Sequence, residues 1–156
     1  MTDSDALSPM PRPTATRPLL GMTVLVVEDS RYACDAMRLL CLRSGARIRR
    51  ADCLQSARRH LMVYRPSVVI VDLGLPDGSG AELIAELCNS GPRVGVILGT
   101  SGDSFSEDVA LAAGAGGFLA KPIESIITFQ NEIIANLPPE RQPKGLRMVA
   151  DDPIRP

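Results

Sequence analysis

Five side chains able to do chemistry stand directly after apolar runs. Asp72 follows Val68-Val69-Ile70-Val71, and the pair Glu28-Asp29 follows Val24-Leu25-Val26-Val27. Thr100 comes after Val96-Ile97-Leu98-Gly99, and Lys121 after Phe118-Leu119-Ala120. Carboxylates packed together repel and raise one another's pKa unless a cation joins them. Two or three of them at one edge, with a backbone carbonyl from a neighbouring loop, suit a hard divalent ion. Mg2+ in particular takes one or two carboxylates and keeps several waters. An ammonium opposite favours ionised acids. A carboxylate set between a metal and an ammonium is a good nucleophile toward phosphorus. Thr100 can then donate to a phosphoryl oxygen, so positioning and electrostatics do the catalysis.

What must bring these residues together is a parallel sheet. Strands buried on both faces read as unbroken Val/Ile/Leu runs, and ligands in such sheets sit outside the strands' carboxyl ends. The pattern alternates strand with helix, five of each. Strands are expected at about 23–27, 47–51, 68–72, 94–98 and 118–120. The expected helices are near 30–44, 53–64, 81–89, 104–113 and 124–137. Ser30 is placed to cap the first helix and Gly45 to end it. Pro66 stops the second. In the last helix Ile126, Ile127, Ile133, Ile134 and Leu137 are expected to face the core. The second strand carries Arg47, Arg49 and Arg50, as suits an edge protected by charge. Right-handed crossovers then give an α/β fold, a doubly wound five-stranded parallel sheet of order 2-1-3-4-5 in a flavodoxin-like three-layer sandwich. Strands one and three flank the switch point in that order, which sets Glu28, Asp29 and Asp72 side by side.

Composition narrows the function. A chain of 156 residues holds one domain with a proper core. Residues 1–20 and 138–156 are Pro-rich tails expected to be disordered, leaving a domain over 21–137. With 17 basic and 18 acidic side chains there is no global field for nucleic acid or membrane. Trp is absent and aromatics are few, which argues against base stacking. Cys34, Cys41, Cys53 and Cys88 form no C-x-x-C pair, and His60 is the lone histidine, so zinc is not expected. Cys34 and Cys41 share a helix face and read as small core residues. Reduced thiols and the lack of a leader or a run of about 20 apolar residues point to a soluble, cytoplasmic protein.

The residues from about Met22 to Leu137 resemble the receiver domain of two-component response regulators. The matching pieces are Val-Leu-Val-Val-Glu-Asp-Ser ending at Ser30, Val-Ile-Val-Asp-Leu-Gly-Leu-Pro-Asp-Gly-Ser-Gly ending at Gly80, Gly-Thr-Ser from Gly99, and Phe-Leu-Ala-Lys-Pro ending at Pro122. The resemblance implies Asp72 as phosphoacceptor, Glu28 and Asp29 as the acidic pair for Mg2+, and the Gly74 carbonyl as a further ligand. It implies that Thr100 and Lys121 engage the phosphoryl group and that Phe118 is the switch aromatic. The donor it implies is a phosphohistidine on a sensor histidine kinase or histidine phosphotransfer protein. Output would pass to a downstream protein rather than to DNA or membrane, and a phosphorylation-dependent homodimer is among the partners it admits. The short Pro-rich stretch after Leu137 makes a stand-alone signalling module, not an enzyme in the ordinary sense, the expected reading.

Two departures bear on that implication. Gly74 and Gly102 stand two residues beyond Asp72 and Thr100, where many family members carry larger side chains, so the acyl phosphate is expected to be weakly shielded. Phe118 has no hydroxyl, so a switch there rests on ring packing. Two other classes compete. A Mg2+-dependent aspartyl-phosphate phosphohydrolase needs a general acid two residues after the nucleophile, where this chain has Gly74. A flavodoxin-like cofactor binder needs a phosphate loop after the first strand, where Glu28-Asp29 would repel it. Asp77 reads as a turn residue and His60 as a surface one.

Overall fold

The computed structural model describes residues 17–89, 94–103 and 105–141. The sheet strands are β1 (Thr23–Val27), β2 (Arg47–Ala51), β3 (Val68–Asp72), β4 (Val96–Ser101) and β5 (Gly117–Ala120). All pair in parallel, in the order β2-β1-β3-β4-β5. The helices are α1 (Arg31–Ser44), α2 (Leu54–Val63), α3 (Gly80–Asn89), α4 (Ser106–Ala113) and α5 (Ile126–Ala135). A short ribbon pairs Gly74–Leu75 with Gly78–Ser79 just beyond β3.

Alternate residues of each apolar strand feed two cores. Val24, Val26, Val68, Ile70, Val96 and Leu98 pack with Met37 and Cys41 of α1 and Phe129 and Ile133 of α5. Leu25, Val27, Val69 and Val71 face the other way, onto Leu54, Ala57 and Leu61 of α2, Leu83 and Ile84 of α3, and Ala110 of α4. Burial on both faces is what the continuous Val/Ile runs encode.

Caps fix the helix that follows β1. Ser30 Oγ accepts from Ala33 N at 3.2 Å, and Gly45 ends the helix at φ 91°. A Cβ on Gly45 would also lie 2.9 Å from Leu20 Cα, so the position needs glycine twice over. At α2 the free N–H groups are met from a distance. Asp77 accepts from Leu54 N (2.8 Å) and Gln55 N (3.1 Å), and Cys53 Sγ accepts from Ser56 N (3.4 Å). Asp77 therefore does more than shape its own turn: it ties the loop after β3 to the start of α2.

Both outer strands of the sheet have charged side chains on or beside them. Arg47, Arg49 and Arg50 run along β2, with the Arg49 guanidinium 4.1 Å over the Tyr64 ring. At β5 the carboxylate of Glu132, from α5, accepts from Phe118 N at 3.3 Å.

Three expectations are corrected. The fourth strand begins at Val96 rather than Val94 and runs on to Ser101, because Thr100 and Ser101 pair with Leu119 and Ala120 of β5. Ile127 is 60% exposed and Ile126 only partly covered; the buried stripe of α5 is Phe129, Gln130, Ile133 and Ile134. That stripe keeps helical spacing at the expense of hydrophobicity, and Gln130 is accommodated because its Nε2 donates to Ser44 Oγ at 2.9 Å. Packed structure also starts before residue 21, since Leu19 is fully buried and donates its N–H to Ser44 O at 2.9 Å. The expected tails at 1–16 and 142–156 lie outside the described residues, as does Ser104. Cys34 and Cys41 are buried in the core, as their spacing predicts.

Candidate functional site

The register of β1, β3 and β4 assembles the site. Val27 pairs with Val71 and Asp72 with Thr100, so the residues that end these strands lie abreast at the carboxyl edge. Glu28 continues β1 into the turn, its N–H donating to Ala51 O at 2.9 Å. Oxygen atoms of Glu28, Asp29 and Asp72 all fall within 4.8 Å of one another. Glu28 and Asp72 are buried, whereas Asp29 is exposed at the mouth.

Lys121 closes the group from β5. Its Nζ donates to Glu28 Oε1 at 2.8 Å and to Asp72 Oδ2 at 3.2 Å. The preceding hydrogen bond, Lys121 N to Ser101 O at 2.9 Å, extends the β4–β5 ladder and delivers the side chain to the edge. The Lys121–Pro122 peptide is cis. Burial pushes the Glu28 carboxyl up from its ordinary range; Lys121 opposes this, and the nearby Asp72 adds to it. Burial pulls the Lys121 ammonium down, but the bonds and charges of Glu28 and Asp72 outweigh it, and its pKa is raised.

Asp72 is held on its other side by its own loop. Its Oδ1 accepts from Gly74 N at 3.1 Å, while Leu73 N donates to Thr100 O at 3.0 Å. Gly80 N then donates to Leu73 O at 3.1 Å, folding the ribbon back over the strand end. A Cβ on Gly80 would overlap the Asp72 carbonyl, so only glycine permits this approach. Around Gly74, by contrast, no atom lies within 4 Å of a built Cβ, and at Gly102 the nearest is Lys121 O at 4.0 Å. The space over the acids is open where the sequence predicts it.

Thr100 and Phe118 are less simply placed. Thr100 lies opposite Asp72 in register, but its fully buried hydroxyl donates to Leu119 O at 2.7 Å. Phe118 is partly buried against the α2–α3–α4 core, its ring close to Gly99. Neither the Thr100 hydroxyl nor the Phe118 ring is bonded into the cluster of acids and lysine.

Sequence reasoning placed Arg50 on the edge strand but gave it no part at the acidic pair. Its Nε donates to Glu28 O at 3.1 Å and its Nη2 to Asp29 O at 3.0 Å. The available signal was its place one residue before the end of a strand adjacent to the acidic pair. The charge-protected edge strand was an adequate account of it, so nothing in the sequence forced a second role.

The donor set suits a hard cation. It consists of oxygen atoms alone, with two buried carboxylates and one exposed at the entrance, and the cluster can hold a divalent metal ion. Beside it, a cavity of about 400 Å³ opens between the start of α1 and the loop after β5, lined by Tyr32, Ala36, Met37, Lys121, Pro122 and Ile123. Among the described residues no helix is long and apolar enough to cross a membrane.

The chain is 33% identical over 99 residues to the KDP operon transcriptional regulatory protein KdpE of Escherichia coli K12, covering 64% of this chain and 44% of that protein. It is 31% identical over 102 residues to the transcriptional regulatory protein PhoP of E. coli O157:H7, covering 65% and 46%. The chain thus spans less than half the length of these curated relatives. Among solved structures, a putative response regulator from Chloroflexus aurantiacus superposes with a TM-score of 0.65 at 27% identity, over 73% of this chain and 98% of that one. The chemotaxis response regulator CheY4 of Vibrio cholerae gives 0.64 at 22% identity, over 72% and 98%, a likeness of fold. Residues 24–130, well over half of the chain, match the response regulator receiver domain family, and with the acidic pocket at its expected strand ends the chain belongs to that family.

Proposed function

We propose that this receiver takes a phosphoryl group from a phosphohistidine onto Asp72 in a Mg2+-dependent reaction and signals through the surface change that follows. Receiver domains are phosphorylated by histidine kinases and are signalling modules rather than conventional enzymes. The observation that carries the proposal is the Lys121 ammonium bonded at once to buried Glu28 and Asp72, with Asp29 completing the acidic trio.

Glu28, Asp29 and Asp72, with the Gly74 carbonyl, would hold Mg2+. That ion supplies positive charge for the phosphoryl oxygens. In the transfer an Asp72 carboxylate oxygen bonds to phosphorus as the N–P bond of the donor breaks, and the leaving imidazole nitrogen keeps the electron pair and takes a proton. Lys121 turns from Asp72 to the incoming oxygens and balances their charge. Thr100 exchanges its bond to Leu119 O for one to the phosphoryl group, and Phe118 repacks in response. The apolar cavity beside Lys121, with Tyr32 at its rim, gives the donor protein a surface to rest on. The downstream partner is a protein, and the module works in the cytoplasm. A phosphohydrolase reading is disfavoured, because no acid stands two residues beyond Asp72.

Incubation with Mg2+ and acetyl phosphate or phosphoramidate tests the proposal. One acid-stable, base-labile phosphate per chain is expected, absent with chelator and in Asp72→Asn. Labelling that survives in Asp72→Asn would overturn it.

A further inference from the structure

We propose that Arg50 is a positioning residue for the cation site, fixing the backbone from which Glu28 and Asp29 project. The inference rests on the acidic cluster being a Mg2+ site, as set out above. Three carboxylates within 4.8 Å of one another repel, and the loop that carries two of them must be held against that repulsion. Glu28 has holds of its own, from Lys121 Nζ on Oε1 and Ser30 N on Oε2. Asp29 is exposed, so what aims its carboxylate is the backbone from which it hangs.

Arg50 grips that backbone at two successive carbonyls. A guanidinium is a planar fork with fixed donor directions, so bonds from Nε and Nη2 fix the two successive peptides, Glu28–Asp29 and Asp29–Ser30, that flank the Asp29 Cα. The fork is itself anchored, because Arg50 pairs with Val26 in the β1–β2 ladder and is half-buried. Neighbouring Arg49 lies elsewhere, over the Tyr64 ring. The two arginines share a strand and a charge but only one reaches the acids.

The sign of the effect distinguishes positioning from electrostatics. A fixed positive charge near a cation site weakens metal binding, so removing Arg50 should tighten it if charge were all that mattered. If Arg50 aims the ligands, removing it weakens binding. Partners that orient metal ligands from behind are worth about tenfold or more in affinity.

The experiment is a Mg2+ titration of the full chain, followed by amide NMR shifts, for wild type, Arg50→Gln, Arg50→Lys and Arg49→Gln. Arg50→Gln is expected to raise the dissociation constant about tenfold, and Arg49→Gln to leave it unchanged. Arg50→Lys keeps the charge but loses the fork, and it is expected to weaken binding as well; it decides the matter if Arg50→Gln fails to fold. Variants at position 50 that bind Mg2+ as well as or better than wild type would overturn the inference while leaving the site intact. A wild-type chain that takes up no Mg2+ sinks the site reading and this inference together.

Discussion

The ammonium of Lys121 lies 2.8 Å from a carboxylate oxygen of Glu28, a residue with no exposed surface, and 93 positions earlier in the chain. One side chain from the last strand thus neutralises acid carried by the first. Removing it leaves Glu28 and Asp72 facing each other without a counter-charge.

Lys121→Met is therefore expected to destabilise the metal-free protein. Breaking a buried pair by deleting one partner costs a few kcal/mol, and with Lys121 22% exposed we expect about 2–3 kcal/mol. Urea unfolding with chelator measures it. Repeating the titration in Mg2+ should recover part of the loss, since the cation takes over the neutralising role, and a deficit that Mg2+ leaves untouched would count against that account.

Gly74 and Gly102 leave room above the acids, and neither has a backbone conformation that excludes a side chain. Gly74→Ala and Gly102→Glu are expected to lengthen the lifetime of the acyl phosphate several-fold by hindering the attacking water. Phosphate release after donor removal gives the rate; an unchanged half-life in both variants removes the idea of an unshielded phosphoryl group.

Asp77 joins the loop beyond Asp72 to α2, and the N–H groups of Leu54 and Gln55 hold its carboxyl below the usual range. A depressed folded-state pKa means stability that is present above the ordinary value of about 3.8 and lost as the pH falls through the lower folded one. Asp77→Ala should unfold at lower urea than wild type at neutral pH. The gap should close below that range, where the wild-type carboxyl is itself protonated. A gap independent of pH would mean that the charge plays no part.

The thiols divide by burial. Burial pushes Cys41 up to about 12 and raises Cys34, while Cys53 is half-buried and Cys88 exposed. A disulfide reagent at mild alkaline pH should modify Cys88 first, then Cys53, and reach Cys34 and Cys41 only after denaturant is added. Rapid labelling of Cys41 in the native protein would contradict the packing of α1.

Legibility followed the kind of force involved. Sheet order could be read because each strand's burial is written in its own apolar run, and β2 declared itself an edge by its arginines. The acids and Lys121 were legible because strand ends share one edge in a parallel sheet. Where a long-range partner made the difference, the sequence was silent. Val96–Ser101 extends past its apolar run because β5 lies beside it, and α5 turned a glutamine inward because Ser44 was there to receive it. The bonds of Arg50, Asp77 and Glu132 to distant backbone belong to the same class, as does the Thr100 hydroxyl on Leu119 O. Each joins groups between 14 and 23 positions apart whose local patterns already had a sufficient explanation.

The Glu132 carboxylate on the Phe118 amide has a consequence for assembly. A bare outermost strand invites a foreign strand to extend the sheet; here β2 is rich in arginine and β5 has its Phe118 amide occupied from within the same chain. Recruitment by strand addition is thus discouraged on both flanks. Contacts with other molecules are then favoured at helix surfaces and loop rims, where recognition depends on side chains and can be remade without unzipping the backbone.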